Sequence, residues 1–201
     1  AQKHYGETQF GFRKGRWLHE AHLFVLASQQ ACYPFDTGGL AFIDFKKAFD
    51  SVRWPFLLKV ARKNLGDNAA NLIALTLSDR TVRLILEDSL SPSISIQRGV
   101  PQGDSLSPLL FNLAAGDIFK KLGQYCQTRI FRKISISWVA FADDLVIIAP
   151  NNKALDQAIK YLKSRKRDTG LEINEKKSEF LPFNCSSEYK GLPNKTTVSE
   201  K

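Results

Sequence analysis

The spacing of apolar residues changes repeatedly along the chain, and each change marks an element. Val139-Ala140-Phe141 and Leu145-Val146-Ile147-Ile148 are apolar runs rich in β-branched side chains, separated by Ala142 and the acidic pair Asp143-Asp144. Two strands meeting at a tight turn fit this pattern, with the acids at the tip. An unpaired buried carboxylate costs on the order of several kcal/mol. The pair must therefore reach solvent or be neutralised by a cation. A plain Asp-containing hairpin turn fits the local pattern equally well.

Elsewhere the period is helical or broken. Leu18, His22, Val25, Leu26 and Gln29 recur at three- and four-residue steps, predicting a helix over 17–32. Pro34 and Gly38-Gly39 then interrupt the chain before Leu40-Ala41-Phe42-Ile43-Asp44-Phe45, a short apolar strand ending in an acid. An acid there is costly unless a cation sits beside it, and Lys46-Lys47 could supply that cation. A helix is expected from Ser51, with Pro55 in its first turn and Phe56, Leu57, Val60 and Ala61 inward. Gly66 ends it, and Asp67 caps a second helix running to about Leu77. Residues 81–86 and 94–96 read as paired strands around a Ser/Pro/Asp turn.

Arg98 to Pro108 holds two glycines and two prolines, so it reads as a loop. It feeds a helix with Ser107 as N-cap, Pro108 at its first position, and Leu109, Leu110, Leu113, Ile118 and Leu122 as its apolar residues. A glycine loop entering a helix N-terminus suits phosphate, although an ordinary well-capped loop looks the same. Asn152 opens a further helix to about Asp168, with Leu155, Ala158, Ile159 and Leu162 inward and cations crowding its last turns. Gly170 stops it. Short strands follow at 171–173 and 179–181, and from Asn184 the chain is polar without periodicity.

Strands interleaved with helices and hairpins predict an α+β layer, a sheet with helices packed on one face. The ends of two strands would bring Asp44 to the Asp143-Asp144 tip. Three converging carboxylates make an oxygen-rich site for hard divalent ions, Mg²⁺ above all. Two such ions, roughly 4 Å apart, can activate a hydroxyl and stabilise a leaving oxygen in phosphoryl transfer. That chemistry outlines a nucleotidyl transferase.

Charge and composition narrow the partners. Lys plus Arg number 29 against 20 Asp plus Glu, a net charge of +9, which favours a polyanion such as nucleic acid. Apolar residues make up 43% of the chain, enough for a sizeable core, so disorder is excluded. Cys32, Cys126 and Cys185 give neither zinc spacing nor a disulfide framework, which points to a reducing, intracellular setting. No apolar run reaches transmembrane length, so no membrane partner is expected. Arg13, Lys14 and Arg16 stand beside two aromatics and can serve a phosphate backbone or form a solvated turn. His19 and His22 share a helical face without a third ligand. The absence of methionine hints at an excerpt from a longer polypeptide.

The residues also carry a resemblance. Phe42 to Val52 (FIDFKKAFDSV), Arg98 to Asn112 (RGVPQGDSLSPLLFN), Phe141 to Ile148 (FADDLVII) and Gly170 to Ser178 (GLEINEKKS) resemble four successive palm motifs of reverse transcriptases. Gln9 to Arg16 (QFGFRKGR) is similar to the preceding block. The likeness is closest to non-LTR (LINE-type) retrotransposon enzymes. It implies a polymerase palm-type antiparallel sheet with helices on one face and partial fingers over 1–183. The polar tail 184–201 would be a truncated approach to the primer grip and thumb, with Tyr189-Lys190-Gly191-Leu192 a faint primer grip.

The resemblance further implies an RNA-directed DNA polymerase using two Mg²⁺ ions, with Mn²⁺ as a substitute, held by Asp44, Asp143 and Asp144. The carbonyl of Phe45 would add a ligand. Phe49 would exclude a ribose 2′-OH and so select deoxynucleotides. Pro101, Gln102 and Gly103 would line the incoming nucleotide, and Lys177 would meet the pyrophosphate side as a proton donor. Arg13, Lys14 and Arg16 would border the template. Its partners would be an RNA template, a DNA primer, dNTPs and the remainder of a retroelement polyprotein, acting in the nucleus. The alternatives are a group II intron-type reverse transcriptase and a decayed or domesticated copy that binds RNA without polymerising. A bulky Phe49 argues against an RNA-dependent RNA polymerase.

Overall fold

A computed structural model describes residues 7–32, 38–86, 89–130, 134–183 and 191–193. Its centre is a four-stranded antiparallel sheet. The strands are β1 (Gly39–Ile43), β8 (Trp138–Phe141), β9 (Asp144–Ala149) and β10 (Glu179–Pro182), in the order β10-β1-β9-β8. Residues 8–10 extend the β8 edge in parallel, through hydrogen bonds from Ala140 N to Thr8 O and from Phe10 N to Ala140 O. This bridge covers backbone groups that an open edge would expose.

The period-2 alternation of the strands sorts side chains onto two cores. Ala41, Ile43, Ala140, Leu145 and Ile147 face a large core built with α3 (Trp54–Leu65), α4 (Asp67–Leu77), α5 (Ser107–Phe119) and α6 (Asn152–Thr169). Leu40, Val139 and Ile148 face a smaller core under α1 (Leu18–Cys32). The α+β palm expectation holds, and α1 adds a helix on the second face of the sheet.

Several local expectations need correction. In α1 the inward residues are Ala21, Phe24, Val25 and Ser28, whereas Leu18, His22 and Leu26 are exposed. The stripe misled because the face that meets the sheet centres on Ala21, Phe24, Val25 and Ser28, rotated away from Leu18, His22 and Leu26. The helix expected from Ser51 divides into a single turn, α2 (Ala48–Ser51), and α3, whose N-cap is Arg53. Asp67 is not the cap of α4, since Gly66 takes that position and Asp67 Oδ1 accepts from Arg62 Nε at 2.8 Å. Ser107 is likewise the first residue of α5, behind Leu106 as N-cap. Asp104 Oδ1 accepts from Leu106 N instead.

The expected hairpin after α4 forms as two paired segments. β2 (Thr81–Val82) pairs β5 (Ile94–Ser95), and β3 (Ile85–Leu86) pairs β4 (Ser89–Leu90), so Ser89 and Leu90 pair where a turn was expected. β6 (Thr128–Ile130) and β7 (Ile134–Ile136) make a separate hairpin. Residues 171–173 make only a bridge, Phe45 with Ile173, because the chain turns again at Asn174. Of the tail, residues 184–190 and 194–201 lie outside the described residues. Gly191–Pro193 do not follow the polar reading: Leu192 is buried, and Pro193 O accepts from Phe180 N at 2.8 Å. Among the described residues no helix is long and apolar enough to cross a membrane.

Candidate nucleotide and metal site

The register of the sheet brings the acids together. Ile43 pairs Leu145, so one step further Asp44 faces Asp144 across the antiparallel pair. Directly opposed residues project to the same side of a sheet. Asp44 and Asp144 accordingly line one groove with Lys177, between the sheet and α1. Asp143 and Ala142 form the two-residue turn of the β8–β9 hairpin, where Phe141 pairs Asp144. Ala142 has φ +59°, a left-handed conformation that usually calls for glycine and costs an L-residue roughly 1–2 kcal/mol.

The segment after α6 wraps Asp44. Asn174 N donates to Asp44 O at 2.8 Å, Asn174 Nδ2 donates to Asp44 Oδ2 at 2.8 Å, and Asp44 N donates to Ser178 Oγ at 3.1 Å. Lys177 closes the same turn by donating its N–H to Asn174 O. Lys46 does not neutralise Asp44, contrary to the simplest sequence reading. Its Nζ pairs Glu172 Oε1 at 2.7 Å, and Glu172 Oε2 also takes Lys166 at 2.6 Å. The Lys166 and Lys46 hydrogen bonds hold the Glu172 carboxyl down to about 2. Phe45 is buried and its ring lies 6.0 Å from that of Phe119.

The carboxylates sense one another. Burial first, then the charges of Asp143 and Asp44, push the Asp144 carboxyl above its usual range. A dication would relieve this repulsion, and an all-carboxylate donor set suits a hard ion. Among the described residues, however, no three His, Cys, Asp or Glu side chains stand close enough to hold a metal ion. What the fold supplies is an oxygen-only donor set of the kind that suits a hard divalent ion, with Asp44 and Asp144 paired by register and Asp143 beside them at the turn.

A second depression is lined by Phe12, Phe49, Pro101, Gln102 and Gly103. Backbone bonds build it: Gly99 N donates to Val52 O at 2.7 Å and Val100 N to Phe49 O at 2.9 Å, while Trp54 Nε1 donates to Gly99 O at 2.8 Å. Gly99 is required here, since a Cβ would come within 2.7 Å of Asp50 O at a φ of +83°. Phe49 stacks on Phe111, with centroids 4.3 Å apart, and meets Phe12 edge-on at 6.1 Å. Gln102 Nε2 donates to Asp50 Oδ1 at 3.2 Å. The fold thus gathers Phe49, Pro101, Gln102 and Gly103 around one depression.

Adjoining the Asp44 groove is a broad basic cleft that includes Asp44, Lys46, Lys47, Arg53, Arg98 and Lys177. The proposed template trio is not uniformly presented. Arg13 Nη1 donates to Gln9 O at 2.9 Å and Arg16 sits 5.2 Å over the Phe10 ring, whereas Lys14 is exposed. Both arginines therefore have a part in holding the 9–16 segment.

Sequence reasoning passed over Phe12, Asp50, Asn112, Asn174 and Ser178 as individual contributors, and it gave Gln9 no role of its own. Asn112 was discoverable, because it interrupts the apolar run of α5; its Nδ2 donates to Gly11 O at 2.7 Å. Gln9 left no such sign, since a polar residue in a polar stretch does not advertise burial.

The family described as "Reverse transcriptase (RNA-dependent DNA polymerase)" matches residues 1–193. The chain is 31% identical over 154 residues to the Retrovirus-related Pol polyprotein from type-1 retrotransposable element R2 of Nasonia vitripennis, covering 76% of this chain and 15% of that protein. It is 30% identical over 172 residues to the Putative 115 kDa protein in type-1 retrotransposable element R1DM of Drosophila melanogaster, covering 83% and 15% respectively. The chain therefore spans only about 15% of the length of these relatives. In fold it is similar to telomerase from Candida tropicalis solved with a fragment of telomeric RNA. That likeness has a TM-score of 0.61 at 13% identity, covering 85% of this chain and 30% of that one.

Proposed function

The chain belongs to the reverse transcriptase family, and we propose that it is the palm, with part of the fingers, of a non-LTR retrotransposon polymerase that copies RNA into DNA. The observation that carries this reading is the facing of Asp44 and Asp144 in the β1–β9 register, with Asp143 in the adjoining turn. In this reading residues 1–183 form the fingers remnant and palm, and 184–201 lead toward a primer grip and thumb.

Asp44, Asp143 and Asp144 would hold two Mg²⁺ ions, with the Phe45 carbonyl as a further ligand. Once bound, the ions would supply Lewis-acid activation of the primer hydroxyl and neutralise charge on the triphosphate. The chain's own residues do the rest. Asn174 orients the Asp44 carboxylate. Phe49, backed by Phe111, blocks the space a 2′-OH would need. Pro101, Gln102 and Gly103 line the base and sugar of the incoming dNTP. Lys177, beside Asp44 in the groove, hands a proton to the departing pyrophosphate. Lys14, with Arg13 and Arg16, borders the RNA template. The other partners are a DNA primer and the rest of a retroelement polyprotein, and the place of action is the nucleus.

The test is extension of a DNA primer on an RNA template with Mg²⁺, run beside Asp143→Asn. Extension by the wild type and a loss on the order of 10³-fold in the variant, with RNA binding retained, is the expected result. Equal extension by both would overturn the metal assignment. RNA binding without extension by either would favour a copy that binds RNA and no longer polymerises.

A further inference from the structure

Gln9 is fully buried, and both ends of its amide are spent on a single residue, the one preceding Asp143. Nε2 donates to Ala142 O at 3.1 Å, and Oε1 accepts from Ala142 N at 3.2 Å and from Gly11 N at 3.1 Å. The partners settle which amide atom is which, because a reversed amide would set N–H against N–H. The bridge of residues 8–10 with β8 fixes where Gln9 enters, and Asn112 holds the far side through Gly11 O. Gly11 is packed so closely that a Cβ would run into Ala142 N.

The clamped residue is the unusual one. Ala142 occupies the first position of a two-residue hairpin turn with φ +59°, where glycine is the ordinary choice. Its backbone N–H and C=O are both taken by a side chain from 133 positions away. A relaxation of this φ would redirect the Asp143 side chain relative to Asp44 and Asp144, and metal ligation tolerates little displacement.

We propose that Gln9 is a positioning residue for the carboxylate pair, holding Ala142 in its left-handed conformation so that Asp143 projects toward the metal site. This inference rests on the reading of Asp143 as a metal ligand. It assigns to the 9–16 block a role beneath the acids, distinct from any contact with template.

The experiment uses the full chain and Mn²⁺ as the probe, with binding followed by electron paramagnetic resonance beside the extension assay and thermal melts. Gln9→Met, which keeps the volume without the amide, is expected to weaken Mn²⁺ binding about tenfold and to lower kcat while leaving the KM for dNTP in place. Adding Ala142→Gly to Gln9→Met should restore most of the Mn²⁺ affinity without restoring the melting temperature, since glycine adopts positive φ unaided. If Gln9→Met melts lower yet binds Mn²⁺ like the wild type, while Asp143→Asn does not bind it, Gln9 is merely structural and the proposal is overturned. If Asp143→Asn binds Mn²⁺ as the wild type does, the metal reading itself falls and takes this inference with it.

Discussion

The two halves of the candidate site are built by opposite means. The acidic half is gripped by polar contacts: Gln9 on Ala142 and Asn112 on Gly11 are buried, and Asn174 with Ser178 on Asp44 are half-buried. The depression at Phe49 is open. Gln102 and Gly103 are exposed, no atom lies within 4 Å of where a Gly103 Cβ would be, and the Gln102–Asp50 bond is solvent-facing. A metal site needs its ligands held within fractions of an ångström, so order there is an advantage. A nucleotide pocket must admit and release a substrate in every cycle, and low local stability suits that work.

The sharpest break of this contrast is a matched pair of glycine changes. Gly11→Ala forces a Cβ onto the Ala142 backbone and should cost about 3 kcal/mol, or roughly 5–10 °C in melting temperature, together with loss of metal-dependent extension. Gly103→Ala meets open space and only the strain of φ +89°, so it should cost about 1 kcal/mol. Equal costs in thermal melts would mean that the two halves are not differently held.

Phe49→Ala comes next. It should lower stability by roughly 1–2 kcal/mol through loss of the Phe111 stack, and lower deoxy-over-ribonucleotide discrimination on the order of tenfold or more. Single-nucleotide extension with paired dNTP and NTP measures this, and unchanged discrimination would remove Phe49 as the sugar gate.

The smallest effect lies at Glu172, on the segment that wraps Asp44. Its carboxyl is lowered from 4.5 to about 2 by Lys166 and Lys46. A lowered folded-state value adds stability above the ordinary glutamate range, and that stability drains away as pH falls from about 4.5 toward about 2. Glu172→Gln should flatten this part of the melting-temperature profile and change little at pH 7, because the pair faces solvent. An unchanged acid slope would show that the ion pair does not contribute.

The same contrast separates what was legible in the chain from what was not. The Asp143-Asp144 hairpin could be read directly, because a β-branched run interrupted by two acids has few other solutions. The inner face of α3 was equally plain: Phe56, Leu57, Val60 and Ala61 repeat at helical spacing and are all buried. α1 was not, since its large aliphatic residues face outward while Ala21 and Ser28 face the sheet. Helical period identifies a helix there, but only the neighbouring surface decides which face is covered.

The sequence by itself determined the acids, their motifs and the strands that bear them, because these follow from local alternation, turn chemistry and the cost of burying charge. Only the tertiary structure decided that Asp44 faces Asp144 and that Asn174 turns back onto Asp44. It alone placed Gln9 beneath Ala142, and Lys46 on Glu172 instead of Asp44. These are contacts between residues some 100 or more positions apart. No local periodicity encodes them; register and packing select them once the sheet has closed.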